Sequence, residues 1–221
     1  MYHQANSYQV VQISDEKVIY TVNEASSVIH RCWCLLKCPP ANRPYEARIY
    51  NSYGALVWQV QRPWQCSCFW VCRPEAFIKD PTDSEIGTVV NPMPWCAICN
   101  YKVTVTDETG KAEYHLSICI CNFHICCECC AGPCSGTDVT ITPAEGVDSF
   151  RVPISLKKVW SGCGKECYSA SDEYEFDVPD AWNDTQWGKF LAALQMFDML
   201  FFEQFLSCFP IPDWGKCCFP C

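Results

Sequence analysis

Near its C-terminal end the chain carries one stretch that limits every fold it can adopt. Residues 184–209, DTQWGKFLAALQMFDMLFFEQFLSCF, read as a helix whose apolar side chains cover nearly the whole circumference. Such a helix has no polar face to offer water, so it lies inside protein or inside a bilayer. Asp180 or Asn183 can cap its start, and Pro210 ends it. The run from Phe190 to Phe209 reaches the ~20 residues that a membrane crossing needs. It also holds Gln195, Asp198, Glu203 and Gln204. One aspartate near a helix centre costs about 2.5–3.5 kcal/mol on the insertion scale. The polar content favours a helix buried in protein over one that spans. On that reading Asp198 needs a hydrogen-bond or cationic partner within the fold.

The material to surround such a helix comes from the first 180 residues, and their pattern is β. Residues 45–51 and 54–61 alternate, with turn chemistry at Asn51-Ser52-Tyr53-Gly54 between them. Residues 101–106 and 113–120 flank Asp107-Glu108-Thr109-Gly110, and 137–142 and 150–159 flank a turn at 143–148. Tyr174, Phe176 and Val178 form a last alternating segment. Regularly spaced short strands point to a sandwich or barrel. Tight turns predict facing residue numbers that add to about 105, about 217 and about 293 in the three hairpins. That register places Cys38 opposite Cys66 or Cys68, Cys96 opposite Cys121, and Cys99 near Cys119. It also places Cys130 opposite Cys163 and Cys126 opposite Cys167. All three hairpins then carry their cysteines away from the turn, at one end of a barrel.

Twenty-one cysteines in 221 residues would suit a secreted disulfide scaffold. The polar, alternating first twenty residues show no secretory signal, and the cysteine count is odd. These features point to a reducing compartment with cysteines free, acylated or metal-bound. Cys96-x-x-Cys99, Cys127-x-x-Cys130 and Cys163-x-x-x-Cys167 have zinc-like spacing, and Cys126, Cys130, Cys163 and Cys167 form a candidate zinc set across the third hairpin. Plain packing competes at most of these positions, because free cysteine is a small buried hydrophobe. Disulfides between facing pairs are the alternative in an oxidising compartment. The tail Cys217-Cys218-Phe219-Pro220-Cys221 makes a poor prenylation box because of its proline, and acylation of Cys217 and Cys218 is the better membrane anchor. A net charge of −9 leaves no basic footprint for nucleic acid and no broad attraction to anionic lipid. No catalytic constellation joins His3, His30, His115 or His124 to a serine or acid motif, so the expectation is a protein without bond chemistry.

Several motifs together resemble the phospholipid scramblase family, from about Tyr8 to Glu203. They are Arg43-Pro44-Tyr45, Gln61-Arg62-Pro63 with Cys66, Cys68 and Cys72, the cysteines from Cys119 to Cys134, Lys158-Val159-Trp160, and Phe197-Asp198-Met199-Leu200-Phe201-Phe202-Glu203. The family is similar in fold to the tubby C-terminal domain. The resemblance therefore implies a mainly β chain: a twelve-stranded antiparallel barrel around a central hydrophobic C-terminal helix. A short arm (1–7), the barrel (8–209) and a cysteine-rich tail (210–221) follow as divisions. The implied activity is energy-independent movement of phospholipid between leaflets, with acylation at Cys66, Cys68 and Cys72 and with Asp198 and Glu203 as the polar groups of the helix. The family's proposed calcium loop falls on Ala170–Ala181, where only Asp172 supplies a carboxylate at a ligand position, so an acidic edge strand is favoured over a calcium site. The family's opening strand has no counterpart before Tyr8, which implies a gap and another protein chain near the N-terminal strands. The expected setting is intracellular and membrane-associated, at the cytoplasmic face of the plasma membrane or at a mitochondrion. The alternative function is a non-catalytic accessory subunit of a membrane or cytoskeletal complex, with the barrel as its binding module.

Overall fold

The alternating segments become strands, and the turn residues decide where each one stops. The computed structural model describes residues 7–26, 44–64, 74–91, 100–119, 137–146, 154–159, 173–177 and 182–201. Within them lie eleven strands: β1 (Ser7–Gln12), β2 (Lys17–Glu24), β3 (Tyr45–Asn51), β4 (Leu56–Arg62), β5 (Glu75–Lys79), β6 (Glu85–Val90), β7 (Asn100–Asp107), β8 (Ala112–Cys119), β9 (Thr137–Pro143), β10 (Ile154–Val159) and β11 (Glu173–Phe176). One helix follows, α1 (Asp184–Phe201). The strands form a single antiparallel sheet in simple sequence order. The mainly β fold with a buried C-terminal helix is as expected. The sheet is not closed, since β1 and β11 are not paired with each other among the described residues.

Three turns use the same device. Asn51, Asp80 and Asp107 each turn a side-chain oxygen back onto the loop. Asp107 Oδ1 accepts from the Thr109 amide at 2.8 Å, the Thr109 hydroxyl at 2.6 Å and the Lys111 amide at 2.9 Å. Asp80 does the same with Thr82 and Ser84, and Asn51 with Tyr53 and Ala55. These bonds hold the carboxyls of Asp80 and Asp107 below the usual range. The residue before each exit is left-handed: Gly54 (φ 76°), Asp83 (φ 67°) and Gly110 (φ 82°). That extra residue, together with a bulge at Ile49/Tyr50 and another at Val105/Thr106, shifts the register. Arg62 rather than Val60 faces Tyr45, and Asn100 rather than Ile98 faces Cys119. In β9–β10 Ile141 rather than Val139 faces Ile154. A shift of two keeps the inside and outside faces unchanged. The remaining predicted cysteine pairings lie outside the described residues.

The inward face of the sheet makes the core with α1. Val22, Ile49, Val60, Ile78, Val89, Val103, Leu116, Ile141 and Leu156 are all buried against it. From Gly188 to Leu200 the helix is buried around its circumference except at Leu194. Each of its large apolar side chains gains about 1.5–3 kcal/mol from burial. No helix among the described residues is long and apolar enough to cross a membrane. The helix touches β4, β5, β6 and β7, and small residues let it approach. The Lys189 stem passes over Gly87, and Gly188 presses on the Trp58 indole. Strand order also sorts the two ends. All the tight turns lie at one end. The chain leaves the described sheet after β2, β4, β6, β8 and β10 at the other end, and α1 runs towards that end. Apart from Cys119, which closes β8, every cysteine belongs to segments outside the described residues.

Gly188→Ala tests the helix approach. Alanine normally favours a helix interior by about 1 kcal/mol over glycine. Here a Cβ would stand 2.7 Å from the Trp58 ring, so denaturant unfolding should show a loss of about 1–3 kcal/mol. A gain in stability would contradict the packing described.

Candidate functional site

Polar groups on a buried helix are the positions where this fold departs from simple packing. Helix α1 begins with a capping box. The Asn183 side chain accepts from the Gln186 amide at 2.9 Å, and the Gln186 side chain accepts from the Asn183 amide at 2.9 Å. Asn183 is therefore the cap, of the two residues the sequence offered. Three buried polar side chains then follow at successive depths. Lys189 donates to Glu113 Oε2 on β8 at 2.9 Å. Gln195 accepts from the Tyr45 hydroxyl on β3 at 3.4 Å, and its Nε2 is buried with no hydrogen-bond partner among the described residues. Asp198, only 4% exposed, receives two hydroxyls: Tyr8 on β1 at 2.9 Å and Tyr174 on β11 at 2.5 Å.

The last of these joins the two outermost strands of the sheet. Tyr8 and Tyr174 come from opposite edges and meet on one carboxylate. About three helical turns towards the other end, Phe176 of β11 packs on Trp187 (ring centroids 6.2 Å apart), and Trp187 packs on Tyr20 of β2 (5.7 Å). Trp187, Leu194 and Asp198 share one face of the helix, since their spacings of seven and four residues return to the same side. Helix side chains thus link the two outermost strands, which are not paired with each other among the described residues. The need of Asp198 for a polar partner was readable in the sequence; that tyrosines from the two outermost strands are among its partners was not.

On the outside, register Tyr45↔Arg62 brings together the Pro44-Tyr45 and Gln61-Arg62-Pro63 motifs. They line an open groove of about 530 Å³ with Phe77 and Lys79. The Arg62 side chain turns inward, on the buried face of β4 that it shares with Trp58 and Val60. On β8, His115 Nδ1 lies 3.0 Å from the Thr104 hydroxyl. Desolvation first, and then the charge of Lys102, lowers its pKa to about 4.

Asp198 is the one predicted site residue within the described residues. Glu203, Asp172, the acylation candidates Cys66, Cys68, Cys72, Cys217 and Cys218, and the zinc candidates Cys126, Cys130, Cys163 and Cys167 lie outside them. The described part of the expected calcium segment is strand β11 and Asp177. Glu173, Glu175 and Asp177 are exposed, and Tyr174 and Phe176 point inward. Among the described residues no group of His, Cys, Asp and Glu is arranged to hold a metal ion.

A family model described as Scramblase matches residues 1–204. Phospholipid scramblase 1 of Rattus norvegicus is 26% identical over 201 residues, covering 90% of this chain and 54% of that protein. Phospholipid scramblase 1 of Homo sapiens is 26% identical over 200 residues, covering 90% of this chain and 57% of that protein. Phospholipid scramblase 2 of Homo sapiens is 24% identical over 205 residues, with 92% and 62% covered. The chain thus spans between half and two thirds of the length of these relatives. No solved structure matches it.

Tyr8→Phe and Tyr174→Phe should each destabilise the protein by about 1.5–3 kcal/mol, the range for hydrogen bonds to charged groups. Equilibrium unfolding measures this, and losses below about 0.5 kcal/mol for both would contradict the seam contact. His115 predicts a pH effect. Its folded pKa lies below the unfolded value, so below about pH 6.5 the unfolded chain binds a proton that the folded one refuses. Stability from this group is present above pH 6.5 and lost as pH falls towards about 4. His115→Gln should flatten the pH dependence of thermal unfolding in that window.

Proposed function

The chain belongs to the scramblase family, and on that premise we propose that it moves phospholipids between leaflets without making or breaking a bond. The match over residues 1–204 is the observation that carries this reading. The physical task is to give a polar headgroup partners while it crosses an apolar layer. A helix that presents Lys189, Gln195 and Asp198 at successive depths, the inward-facing Arg62, and an outer groove with Lys79 are the features that suit it. Lys189 and Arg62 are cations of the kind that hold a phosphate, and Asp198 and Glu113 are anions of the kind that hold an ammonium group. Because the net charge is −9, membrane attachment falls to apolar or covalent contacts. The end of the sheet at which the chain leaves β2, β4, β6, β8 and β10 is the one proposed to face lipid. Acylation of Cys66, Cys68, Cys72, Cys217 or Cys218 supplies the anchor. Calcium at Asp172, or zinc at Cys126, Cys130, Cys163 and Cys167, would act as a regulator or a brace and not as a reactant.

Reconstitution tests the proposal. Liposomes carrying a fluorescent phospholipid on both leaflets are treated with a membrane-impermeant quencher, with calcium and with a chelator. The expected result is loss of inner-leaflet label in protein-containing liposomes faster than in protein-free ones. Equal rates under both conditions, with the protein shown to be folded and inserted, would overturn it.

A further inference from the structure

Four large apolar side chains among the described residues stand in solvent, and three of them share one corner. Val11 is 43% exposed, Ile13 77% and Tyr53 91%. The fourth, Trp64, follows β4 at the opposite end of the sheet. Val11 and Ile13 belong to the β1–β2 hairpin, and Tyr53 sits at the tip of β3–β4. Strands β2 and β3 are paired as far as Tyr20↔Asn51, so the two hairpin tips are neighbours at the turn end. Single apolar residues scattered over a surface need no explanation, but three on adjoining hairpins mark a contact.

Both tips are braced. Asn51 Oδ1 accepts from the Tyr53 and Ala55 amides at 3.0 Å each, and Gly54 takes the left-handed position (φ 76°). In the neighbouring turn Gln12 Nε2 donates to the Ser14 hydroxyl at 3.0 Å, and the Lys17 amide donates to Asp15 Oδ1 at 3.4 Å. The apolar side chains are thus held out on ordered backbone, which reduces the entropy lost on binding.

The surroundings are acidic. The turn segments 13–17, 52–55, 79–85, 107–111 and 144–146 together hold eight acidic residues and three lysines. One of those lysines, Lys79, is engaged by Asp83 at 2.8 Å. Asp15 and Glu16 share a turn with Ile13. Asp184 stands close to β2, since its charge, after burial, pushes up the Tyr20 hydroxyl. Apolar tips in an acidic collar select among occupants. A second copy would bring the same negative charge against its own, and an anionic bilayer would be repelled in the same way. A basic amphipathic helix offers the complementary pattern, an apolar stripe with cations alongside.

We propose that Val11, Ile13 and Tyr53 form a docking surface for a basic amphipathic helix of a partner protein. Its apolar side chains pack on the two tips, and its lysines or arginines lie beside Asp15, Glu16 and Asp184. The surface is at the end opposite to the one proposed to face lipid. It does not depend on lipid movement, and its test reads binding alone.

The probe is a synthetic 18-residue peptide of leucine and lysine with its leucines at helical spacing. The controls are a peptide of the same composition with its leucines scattered so that no stripe forms, and a leucine–glutamate peptide of the same pattern. Titration calorimetry should show saturable binding of the leucine–lysine peptide, weakening as salt is raised, and at least tenfold weaker binding of both controls. The double variant Ile13→Ser/Tyr53→Ser changes exposed residues only, so its melting temperature should stay near that of the parent. It should lose the peptide at least tenfold, and Trp64→Ser at the other end should bind as the parent does. Asp15→Asn/Glu16→Gln should weaken binding and flatten its salt dependence. Three results overturn the proposal: no saturable binding of the leucine–lysine peptide, equal binding of the scattered peptide, or unchanged binding by Ile13→Ser/Tyr53→Ser. Phosphatidylcholine vesicles that bind the parent but not that variant, with no peptide bound, would assign the tips to a bilayer instead.

Discussion

A carboxylate in the middle of an apolar helix is the constraint on which this fold turns. Burying Asp198 without partners would be expensive, and the chain answers with two tyrosine hydroxyls from strands at opposite ends of the sheet. The same contact that satisfies the charge also holds the edges β1 and β11 against the helix. Without it those edges would depend on the aromatic contacts of Phe176, Trp187 and Tyr20 nearer the turns. Satisfying one buried side chain and gathering the two outermost strands are thus one problem with one solution.

The opposite side of the helix is held differently. There glycine and alanine remove bulk, so that the helix touches β4 to β7. Gly188 meets Trp58, and the Lys189 stem crosses Gly87 to reach Glu113. The helix therefore has a packed side and a bridged side. Packing gives the first its stability through burial, while on the second, among the described residues, a few long side chains reach the two outermost strands. That asymmetry explains why Leu194, on the bridged side, is the one accessible residue in an otherwise buried run.

Much of this could be read from the residues, and the failures have physical causes. Asn51 with Gly54, and Asp107 with Gly110, announced their hairpins because glycine marks the left-handed position. The hairpins β1–β2 and β5–β6 gave no such mark: Glu16 (φ 54°) and Asp83 (φ 67°) take that conformation without a glycine. The register was two residues off because a three-residue loop and a bulge each add one residue, and neither is visible in alternation. Gln186, three residues after Asn183, is the signal that would have selected the cap. Tyr8 and Tyr174 could not have been paired with Asp198, since 190 and 24 residues separate them in sequence. Proximity of that kind is a product of the whole topology.

Family membership gives the fold its expected task, and the buried polar helix gives that task a physical setting. Both rest on the edges of the sheet being gathered by the helix through Asp198. Hydrogen exchange of Asp198→Leu, compared with the parent protein, tests this most directly. The account predicts that the amides of β1 and β11 lose protection together while those of β5, β6 and β7 keep theirs. Uniform loss across all strands, or unchanged exchange at both edges, would contradict it.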